Sequence, residues 1–474
     1  MIPWSPVSSP RALPARLTEI RPGLLALAVV AFAVALRVPL LSGGQMDYDE
    51  GVYWQSLRNM AAGHPLFSAV YSSQPPAFLE LLLPSHVLLG GSIEADRTGV
   101  LVLTLTGLVA VYRIGSTLAT AWAGVLAATL LAADPLFFRQ SVTLQADGPA
   151  VSLGLASLAI ALEARRRPGR GGWLLAAVTG AVLAVAVLTK ILVVAAAPAV
   201  AVALAGQPQD AWRRALVSLG MAALGGVAAT LLLLLPFIGS LGLVWQQAVG
   251  FHLQARALEV GGLDPGTLLH ELPLAVVGLA GLAIAIRRAP LLAATAGAWM
   301  VIAAIFVAVQ RPLWPHHLLI LVPPLVLWAG ALVLLPTPRP ALVVGTLAIA
   351  GCLVAATYTR SLQSPTPEAA VAALRTSTAP GDLVVTDDPF AAALADRSTP
   401  PELVDTTRVR MNSGELTPAQ AEEVTSRPRV RAVLLATDRL ANLPGFQVWV
   451  TQHFPTARDL GEGQLLYLRL SGPG

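Results

Sequence analysis

The chain has 474 residues, of which 55% are hydrophobic and only 12% are charged, and its mean hydropathy is +0.68. Apolar runs of about twenty residues recur along it, long enough to cross the core of a bilayer, which excludes a soluble globular protein. The pI near 9.6 comes from short arginine clusters between these runs and not from a basic, aromatic-lined face that could bind nucleic acid. The single cysteine, Cys352, excludes a disulfide framework and a cysteine metal site.

The apolar runs predict a polytopic α-helical membrane protein with about eleven transmembrane helices. The first run follows Arg11, Arg16 and Arg21 and resembles a secretory signal, but its length and the runs after it favour an uncleaved span. The predicted spans are residues 23–41, 98–113, 118–136, 148–164, 172–189, 190–206, 215–238, 271–286, 290–309, 317–335 and 341–358.

Arginines gather in alternate short connections, which is typical of the cytoplasmic side of a membrane protein. After the N-terminal segment 1–22, these arginines are Arg113, Arg165, Arg166, Arg167, Arg170, Arg213, Arg214, Arg287, Arg288 and Arg339. We therefore predict a cytoplasmic N-terminus and an extracytoplasmic C-terminus. The near-total use of arginine in place of lysine suggests a bacterium with GC-rich DNA, and hence its plasma membrane.

Two connections on the outer side of the predicted membrane domain, residues 23–358, are long: residues 42–97 and 239–270. Loops of this length usually carry structure or function. In the first, Tyr53–Ala62 and Pro76–Leu89 have helical apolar spacing, which predicts two helices along the membrane interface.

The composition changes after Tyr358, where the chain becomes rich in proline, threonine, aspartate and arginine. Short β-like runs predict strands, and threonine-proline pairs predict helix starts at Thr366 and Thr417. The β-like runs are Leu383–Thr386, Ala432–Ala436 and Leu465–Leu470. Residues 359–474 are therefore predicted to form a small extracytoplasmic α/β domain.

The acidic cluster Asp47-Tyr48-Asp49-Glu50 lies just beyond the first span of a chain that is otherwise nearly free of charge. One interpretation is a solvated loop, where acidic residues are ordinary. The other is catalytic chemistry at the outer membrane surface. Asp147, which opens the fourth span on the same side, is either a helix-starting residue before Gly-Pro or a second acid of that site.

Lys190 is the only lysine and lies between two apolar spans. It either reaches to the interface from a tight turn or faces an anionic ligand. Arg311, His316 and His317 lie in a short outer loop. Because adjacent histidines cannot share one helix face well, a two-histidine metal site is disfavoured, and donors to phosphate are the better interpretation. His252 and Arg256 add further donors or are surface residues.

Carboxylates from the early outer loops and cations from the later ones suit group transfer from a phosphate leaving group. The carboxylate of an acidic residue would deprotonate the attacking hydroxyl, and cations would stabilise the departing phosphate. This pattern resembles the GT-C glycosyltransferases, in the branch of the protein O-mannosyltransferases and lipid A aminoarabinose transferases. Over residues 23–335 the resemblance is carried by Asp49-Glu50, Gln74-Pro75-Pro76, Asp147, Leu188-Thr189-Lys190, His317-Leu318-Leu319 and Pro323-Pro324.

The resemblance implies a polyprenyl-phosphate sugar donor and an acceptor that is a glycolipid, a cell-wall glycan or a protein, with inversion at the anomeric carbon. Asp49 would be the general base, Glu50 would orient the site, and Asp147 would match the second-loop acid. Lys190 and the histidine pair would match cationic positions around the lipid phosphate. No organic cofactor is expected, and a divalent metal stays possible.

The sequence departs from the family at Gln74, where many relatives have a lysine that contacts the donor phosphate. Glutamine donates hydrogen bonds but brings no charge, so donor binding must depend on Lys190, Arg311 or the histidines. Tyr53, His252 and Arg256 are further possible contacts to donor or acceptor. Two alternatives remain: a lipid-carrier transporter or flippase, although no repeat or paired helix interruption is found, and a non-catalytic subunit of glycan assembly.

Overall fold

A computed structural model describes residues 21–205, 212–256, 262 and 265–469. The predicted N-terminal segment 1–22 lies almost wholly outside this part of the chain. Helices dominate as far as residue 361, followed by a small mixed domain. This arrangement confirms the predicted fold class, a polytopic helical membrane protein with a C-terminal α/β domain.

Within the described residues, nine helical segments are long and apolar enough to cross a membrane. They are Pro22–Leu40, Ile93–Leu118, Asp147–Arg166, Gly169–Thr189, Trp212–Ala255, Leu268–Arg288, Pro290–Val309, Pro315–Leu334 and Arg339–Ser361. The other two predicted spans correspond to the shorter apolar helices Ala121–Ala133 and Ile191–Ala205. The count of eleven and the orientation therefore stay predictions.

Among the described residues, sixteen α-helices precede the C-terminal domain, and they are labelled in chain order. They are α1 Pro22–Arg37, α2 Tyr48–Ala61, α3 Ala77–Leu88, α4 Ile93–Leu118, α5 Ala121–Ala133, α6 Pro135–Gln140, α7 Asp147–Arg166, α8 Gly169–Thr189, α9 Ala196–Ala205, α10 Trp212–Leu234, α11 Leu241–Trp245, α12 Phe251–Ala255, α13 Pro265–Arg288, α14 Pro290–Val309, α15 Val322–Gly330 and α16 Arg339–Ser361. Short 3₁₀ segments join several of them, including Ile191–Ala195 and Pro315–Leu321.

Small residues bring neighbouring helices of the bundle into backbone contact. A Cβ added at Gly180 of α8 would lie 1.7 Å from the carbonyl oxygen of Ala222 in α10, and one at Gly225 would lie 2.0 Å from that of Ala177. Because lipid tails are as apolar as the side chains, the hydrophobic effect does not drive helix association in a membrane, and close approach favours it through dispersion forces instead. Gly180 and Gly225 therefore act in packing α8 against α10.

The second long loop is shorter than predicted. Helical structure continues from α10 through a 3₁₀ segment, α11, the π-helical segment Gln246–Gly250 and α12, ending at Ala255. Pro236 lies at the start of the 3₁₀ segment, where its missing N–H costs least, so the chain changes helix type without leaving the helical path. The stretch between 256 and 265 is mostly outside the described residues.

The C-terminal domain is a four-stranded sheet with six helices. The strands are β1 Leu383–Thr386, β2 Val430–Leu435, β3 Thr456–Gly461 and β4 Gln464–Leu468, and the helices are α17 Glu368–Ser377, α18 Pro389–Leu394, α19 Arg408–Asn412, α20 Pro418–Ser426, α21 Asp438–Ala441 and α22 Phe446–His453. The sheet order is β1-β2-β4-β3, with β1 parallel to β2 and the other neighbours antiparallel.

The three predicted strands are confirmed, with shifts of a few residues. Thr417 caps α20 in a full capping box, as its threonine-proline pair predicts, but α17 begins after Pro367 without a side-chain cap. Strand β3 was missed because its residues are mostly polar and exposed, which removes the apolar signal of a buried strand.

The C-terminal domain packs on helix α2 of the first loop. The side-chain amide of Gln55 donates to the carbonyls of Pro389 and Arg397 at 3.2 and 2.9 Å, and Asn59 donates to that of Thr399 at 3.2 Å. The central part of α2 is buried on all sides. The predicted interfacial helix is therefore an internal element between the bundle and the domain, because its polar side chains bond to the domain backbone.

Candidate active site

The acidic cluster forms the start of helix α2. The carboxylate of Asp47 caps the helix by accepting a hydrogen bond from the backbone N–H of Asp49 at 3.2 Å. Asp49 and Glu50 occupy the first turn, where the helix dipole favours negative charge. The cluster is thus a fixed helix start and not a freely solvated loop.

Glu50 points inward and forms a fully buried ion pair with Arg97 of α4. Both Glu50 oxygens accept from the guanidinium at 2.8 Å, from Nε and Nη2, and both side chains have no exposed surface. Glu50 also accepts from the backbone N–H groups of Met46 and Leu144 at 2.7 and 2.8 Å. It therefore joins the first acidic loop to the segment that precedes Asp147.

Arg97 also fixes the segment before Asp47 by donating hydrogen bonds to the backbone carbonyl groups of that segment. Its guanidinium donates to the carbonyls of Leu41, Gly43 and Gly44 at 2.8 to 2.9 Å. Arg97 was not predicted from the sequence because it lies at the edge of a predicted span. An arginine near the start of an otherwise apolar span was the feature of the sequence that could have identified it.

Asp49 lies beside the loop between α6 and α7. The side-chain amide of Gln145 donates to Asp49 Oδ2 at 3.3 Å. Burial, and then the like charges of Asp47 and Asp405, raise the pKa of Asp49 to about 7. A carboxylate with that pKa can take a proton near neutral pH and release it again.

Asp147 and Lys190 meet in the structure although they are 43 residues apart. The Lys190 ammonium donates to Asp147 Oδ2 at 3.2 Å, and both residues are at most 9% exposed. Lys190 lies between α8 and the 3₁₀ segment that follows, where the backbone is extended and the helix is interrupted. From this break its side chain reaches Asp147. Lys190 also interacts electrostatically with Asp49.

Arg139, at the end of the short helix α6, is a site cation that the sequence analysis missed. It donates to the carbonyl of Met46 at 2.9 Å and to Asp47 Oδ2 at 3.2 Å. Its buried Nε has no hydrogen-bond partner in the described part of the chain. Asp134 caps α6 at its other end by accepting from the backbone N–H of Phe137 at 2.8 Å.

His316 and His317 are adjacent, with ring centroids 4.6 Å apart. The Nδ1 of His317 accepts from the backbone N–H of Trp314 at 3.2 Å. His316 interacts electrostatically with Lys190 and Arg139, and His317 with Lys190 and Asp147. The pair is therefore electrostatically coupled to the Asp147–Lys190 pair.

The Gln74 segment lies close to His252. The Nε2 of His252 is 2.8 Å from the carbonyl oxygen of Ser73, and Gln74 is 6% exposed. His252 interacts electrostatically with both Lys190 and Asp405, which places it between the bundle and the C-terminal domain. The backbone at Gln74 is thus positioned by the helix that extends α10.

Tyr53 is buried one turn along α2 from Asp49. Its ring packs edge-on against Phe78 at 5.0 Å. Burial, and then the surrounding carboxylates, Asp49 first among them, raise the pKa of Tyr53 well above its usual value. Tyr53 therefore stays protonated and faces the acidic side of the site.

Arg311 and Arg256 lie outside this cluster. Arg311 is exposed and donates to the carbonyls of Gln310 and Ala308, and Arg256 is exposed and donates to that of Val309. Both guanidiniums are occupied by backbone at the end of α14, so the structure does not bring them to Lys190.

Across the described residues, no group of three or more His, Cys, Asp or Glu side chains is arranged to hold a metal ion. The acidic residues instead bond to Arg97, Arg139, Gln145 and Lys190. This part of the chain therefore offers no candidate cage for the divalent metal that the sequence left possible.

The fold is that of a multi-pass membrane protein of the GT-C type. Residues 73–239 match the family model of the dolichyl-phosphate-mannose-protein mannosyltransferases. That match includes Gln74, Asp147 and Lys190 but leaves Asp49 and the C-terminal domain outside it. A search of curated proteins gives no match.

Solved structures with this fold include two of ArnT from Cupriavidus metallidurans. The structure bound to undecaprenyl phosphate has a TM-score of 0.72 and 16% identity, covering 96% of this chain and 100% of that one. The apo structure has a TM-score of 0.69 and 16% identity, covering 95% and 99%. The oligosaccharyltransferase AglB from Archaeoglobus fulgidus, in complex with an inhibitory peptide and a dolichol-phosphate, has a TM-score of 0.58 and 14% identity, covering 92% and 71%. The predicted resemblance to the GT-C glycosyltransferases is confirmed.

Proposed function

We propose that this protein transfers a sugar from a polyprenyl-phosphate donor to a hydroxyl acceptor on the extracytoplasmic face of a bacterial plasma membrane. The observation that supports the proposal is the electrostatic interaction of Asp49, whose pKa is near 7, with Lys190 of the buried Asp147–Lys190 pair. A base and a cation within one site are what displacement of a lipid phosphate needs.

In the proposed reaction an acceptor hydroxyl oxygen attacks the anomeric carbon of the donor sugar. The new carbon–oxygen bond forms as the bond from that carbon to the phosphate oxygen breaks, so the configuration inverts. The hydroxyl proton passes to Asp49, and polyprenyl phosphate leaves with the bonding electron pair. Asp49 then releases its proton to water, which a carboxyl with a pKa of about 7 does readily at neutral pH.

The donor phosphate is proposed to lie on the side of Lys190, with His316 and His317 beside it. Lys190 carries the charge that Gln74 lacks, and its pairing with Asp147 holds the ammonium in place before the donor arrives. Gln74 would add a hydrogen bond. Arg311 was predicted as a phosphate ligand, but its backbone contacts argue against that role.

Among the other predicted site residues, Glu50 is proposed to position the acidic loop without touching substrate, since Arg97 and two backbone N–H groups bond to it. Tyr53 and His252 are proposed to contact acceptor or donor. Arg256, which follows α12, is exposed and donates to the carbonyl of Val309, and it is not proposed as a contact.

We expect Lys190→Ala to reduce donor use by on the order of 10- to 100-fold, because a charged hydrogen bond of ~1.5–3 kcal/mol is lost. The loss appears in KM if Lys190 binds ground-state phosphate, and in kcat if it acts on the leaving group. Steady-state transfer from a labelled donor measures both. Arg360→Ala, an exposed cation on α16, is the control, and a Lys190 variant as active as this control would contradict the assignment.

The pH dependence of transfer should follow Asp49. Since the base must be deprotonated and its pKa is about 7, kcat/KM should rise with pH below that value and level off above it. Asp47→Asn removes a neighbouring like charge that raises this pKa, so the rising limb should move to lower pH. Asp396→Asn, an exposed change in the C-terminal domain, should leave it in place. An Asp47 variant with the limb of the native protein would rule out this electrostatic coupling.

The proposed function is tested with the full chain reconstituted in nanodiscs, a labelled polyprenyl-phosphate sugar and extracts from cells lacking the gene. Transfer of label to a product, with release of polyprenyl phosphate, is the expected result. Movement of the lipid between leaflets of vesicles without sugar transfer would instead establish a flippase.

A further inference from the structure

The C-terminal domain reaches the candidate active site through residues 404–407. The Thr406 hydroxyl oxygen is 2.9 Å from that of Tyr48, next to Asp49. The guanidinium of Arg439 lies over the Tyr48 ring at 4.0 Å, and that of Arg410 over the Tyr71 ring at 3.6 Å. Two tyrosines of the first loop are therefore fixed to the domain on either side of Asp405.

Asp405 is held in one orientation by its own turn. Its Oδ1 accepts from the backbone N–H of Thr407 at 2.8 Å, and Arg410 donates to its carbonyl oxygen at 2.6 Å. The residue is only 4% exposed. In the described part of the chain, its second carboxylate oxygen has no hydrogen-bond partner.

Asp405 faces the same space as the proposed base. It interacts electrostatically with Asp49, Tyr53 and His252. The Tyr71 hydroxyl, which also interacts electrostatically with Asp405, is buried without a hydrogen bond in the described part of the chain. Buried polar groups rarely stay unpaired, so this hydroxyl is positioned for a ligand beside Asp405.

The carboxylate of the C-terminal domain adds a further negative charge near Asp49. His317 interacts electrostatically with Lys190, where the donor phosphate is proposed to lie, whereas Asp49 interacts with the like charges of Asp47 and Asp405. A second anion between two carboxylates in a partly desolvated site would be strongly disfavoured. Neutral hydroxyl groups can instead donate to Asp405 and exchange hydrogen bonds with the tyrosines.

We propose that Asp405 binds the acceptor by hydrogen bonds, and that the acceptor presents uncharged sugar hydroxyls next to its attacking hydroxyl. This inference rests on the proposed function, because it assigns the acceptor side of the same site. The C-terminal domain would then supply acceptor specificity, while the bundle supplies the base and the donor site.

Asp405→Asn separates this role from a structural one. The amide keeps the oxygen that accepts from Thr407 but replaces the free oxygen by a donor, so the acceptor KM should rise roughly tenfold while the donor KM stays unchanged. Asp438→Asn, an exposed change in the same domain, is the control and should leave both constants unchanged. A shifted pH profile without a change in acceptor KM would overturn the proposal, and so would equal loss for both substrates.

The chemistry of the acceptor is tested by separating extracts of cells lacking the gene on an anion-exchange column. Each fraction is supplied to the wild-type protein with labelled donor. Acceptor activity in the unretained, neutral fraction is expected, and activity confined to the retained, anionic fraction would overturn the inference. If no fraction supports transfer by the wild type, the proposed function itself fails, which is a distinct result.

Discussion

Asp49→Asn should abolish sugar transfer while leaving the protein folded. The amide keeps the shape of the side chain but cannot accept the hydroxyl proton, and loss of a positioned general base typically costs about 10²- to 10⁴-fold in rate. Single-turnover transfer from a labelled polyprenyl-phosphate sugar measures the loss in kcat. Thermal unfolding should be nearly unchanged, because the Asp47 cap and the Glu50 ion pair both remain.

Asp47→Asn is the matched control for this variant. It makes the same chemical change two residues away, and asparagine is as good a helix cap as aspartate. We expect it to retain transfer at pH values above the rising limb. Native turnover in the Asp49 variant would remove the proposed base from the mechanism.

Glu50→Gln should destabilise the protein far more than its change in volume suggests. Glutamine leaves the buried Arg97 guanidinium without its counter-ion, and breaking a buried ion pair by removing one partner costs ~3–5 kcal/mol. The acidic loop, whose carbonyls bond to Arg97, should lose its fixed position, so activity should fall as well. Loss of signal on heating in detergent, followed by tryptophan fluorescence, measures the first effect.

The control is Glu163→Gln, which removes one partner of the solvent-exposed Glu163–Arg167 pair on α7. Such pairs contribute ~0–1 kcal/mol, so the melting temperature should barely change. A Glu50 variant as stable as this control would show that Arg97 finds other partners when its carboxylate is removed.

The sequence could locate Asp49, Asp147 and Lys190 because ionisable residues are rare in a chain with long apolar runs. The rarity identified them without any knowledge of distance. The sequence could not predict which of these residues pair. Lys190 contacts Asp147, 43 residues away, because α7 packs against α8 and the 3₁₀ segment. The roles assigned to them remain proposals, although their shared location no longer depends on spacing.

Arg97, Arg139 and Asp405 were missed for a physical reason. Each lies at the end or start of a helix or turn, where polar residues are expected, so its composition gives no signal. The partner of Arg97 is 47 residues away and that of Arg139 is 92 residues away, and Asp405 interacts electrostatically with Asp49, more than three hundred residues before it. The order of these elements along the chain does not predict such proximity. Arg311 shows the converse: a cation in a short loop looks available from the sequence, but its guanidinium donates to the carbonyls of Ala308 and Gln310.

The close approach of α2 to the C-terminal domain has a consequence for exchanging parts between relatives. A Cβ added at Gly51 would lie 2.5 Å from the backbone nitrogen of Phe390, so helix and domain meet without room for a side chain. The guanidinium groups of two arginines of the domain also stack on the rings of Tyr48 and Tyr71. A chimera that takes this domain from another member of the fold must therefore take residues 45–76 with it, and the two segments should change together in evolution as one inherited unit.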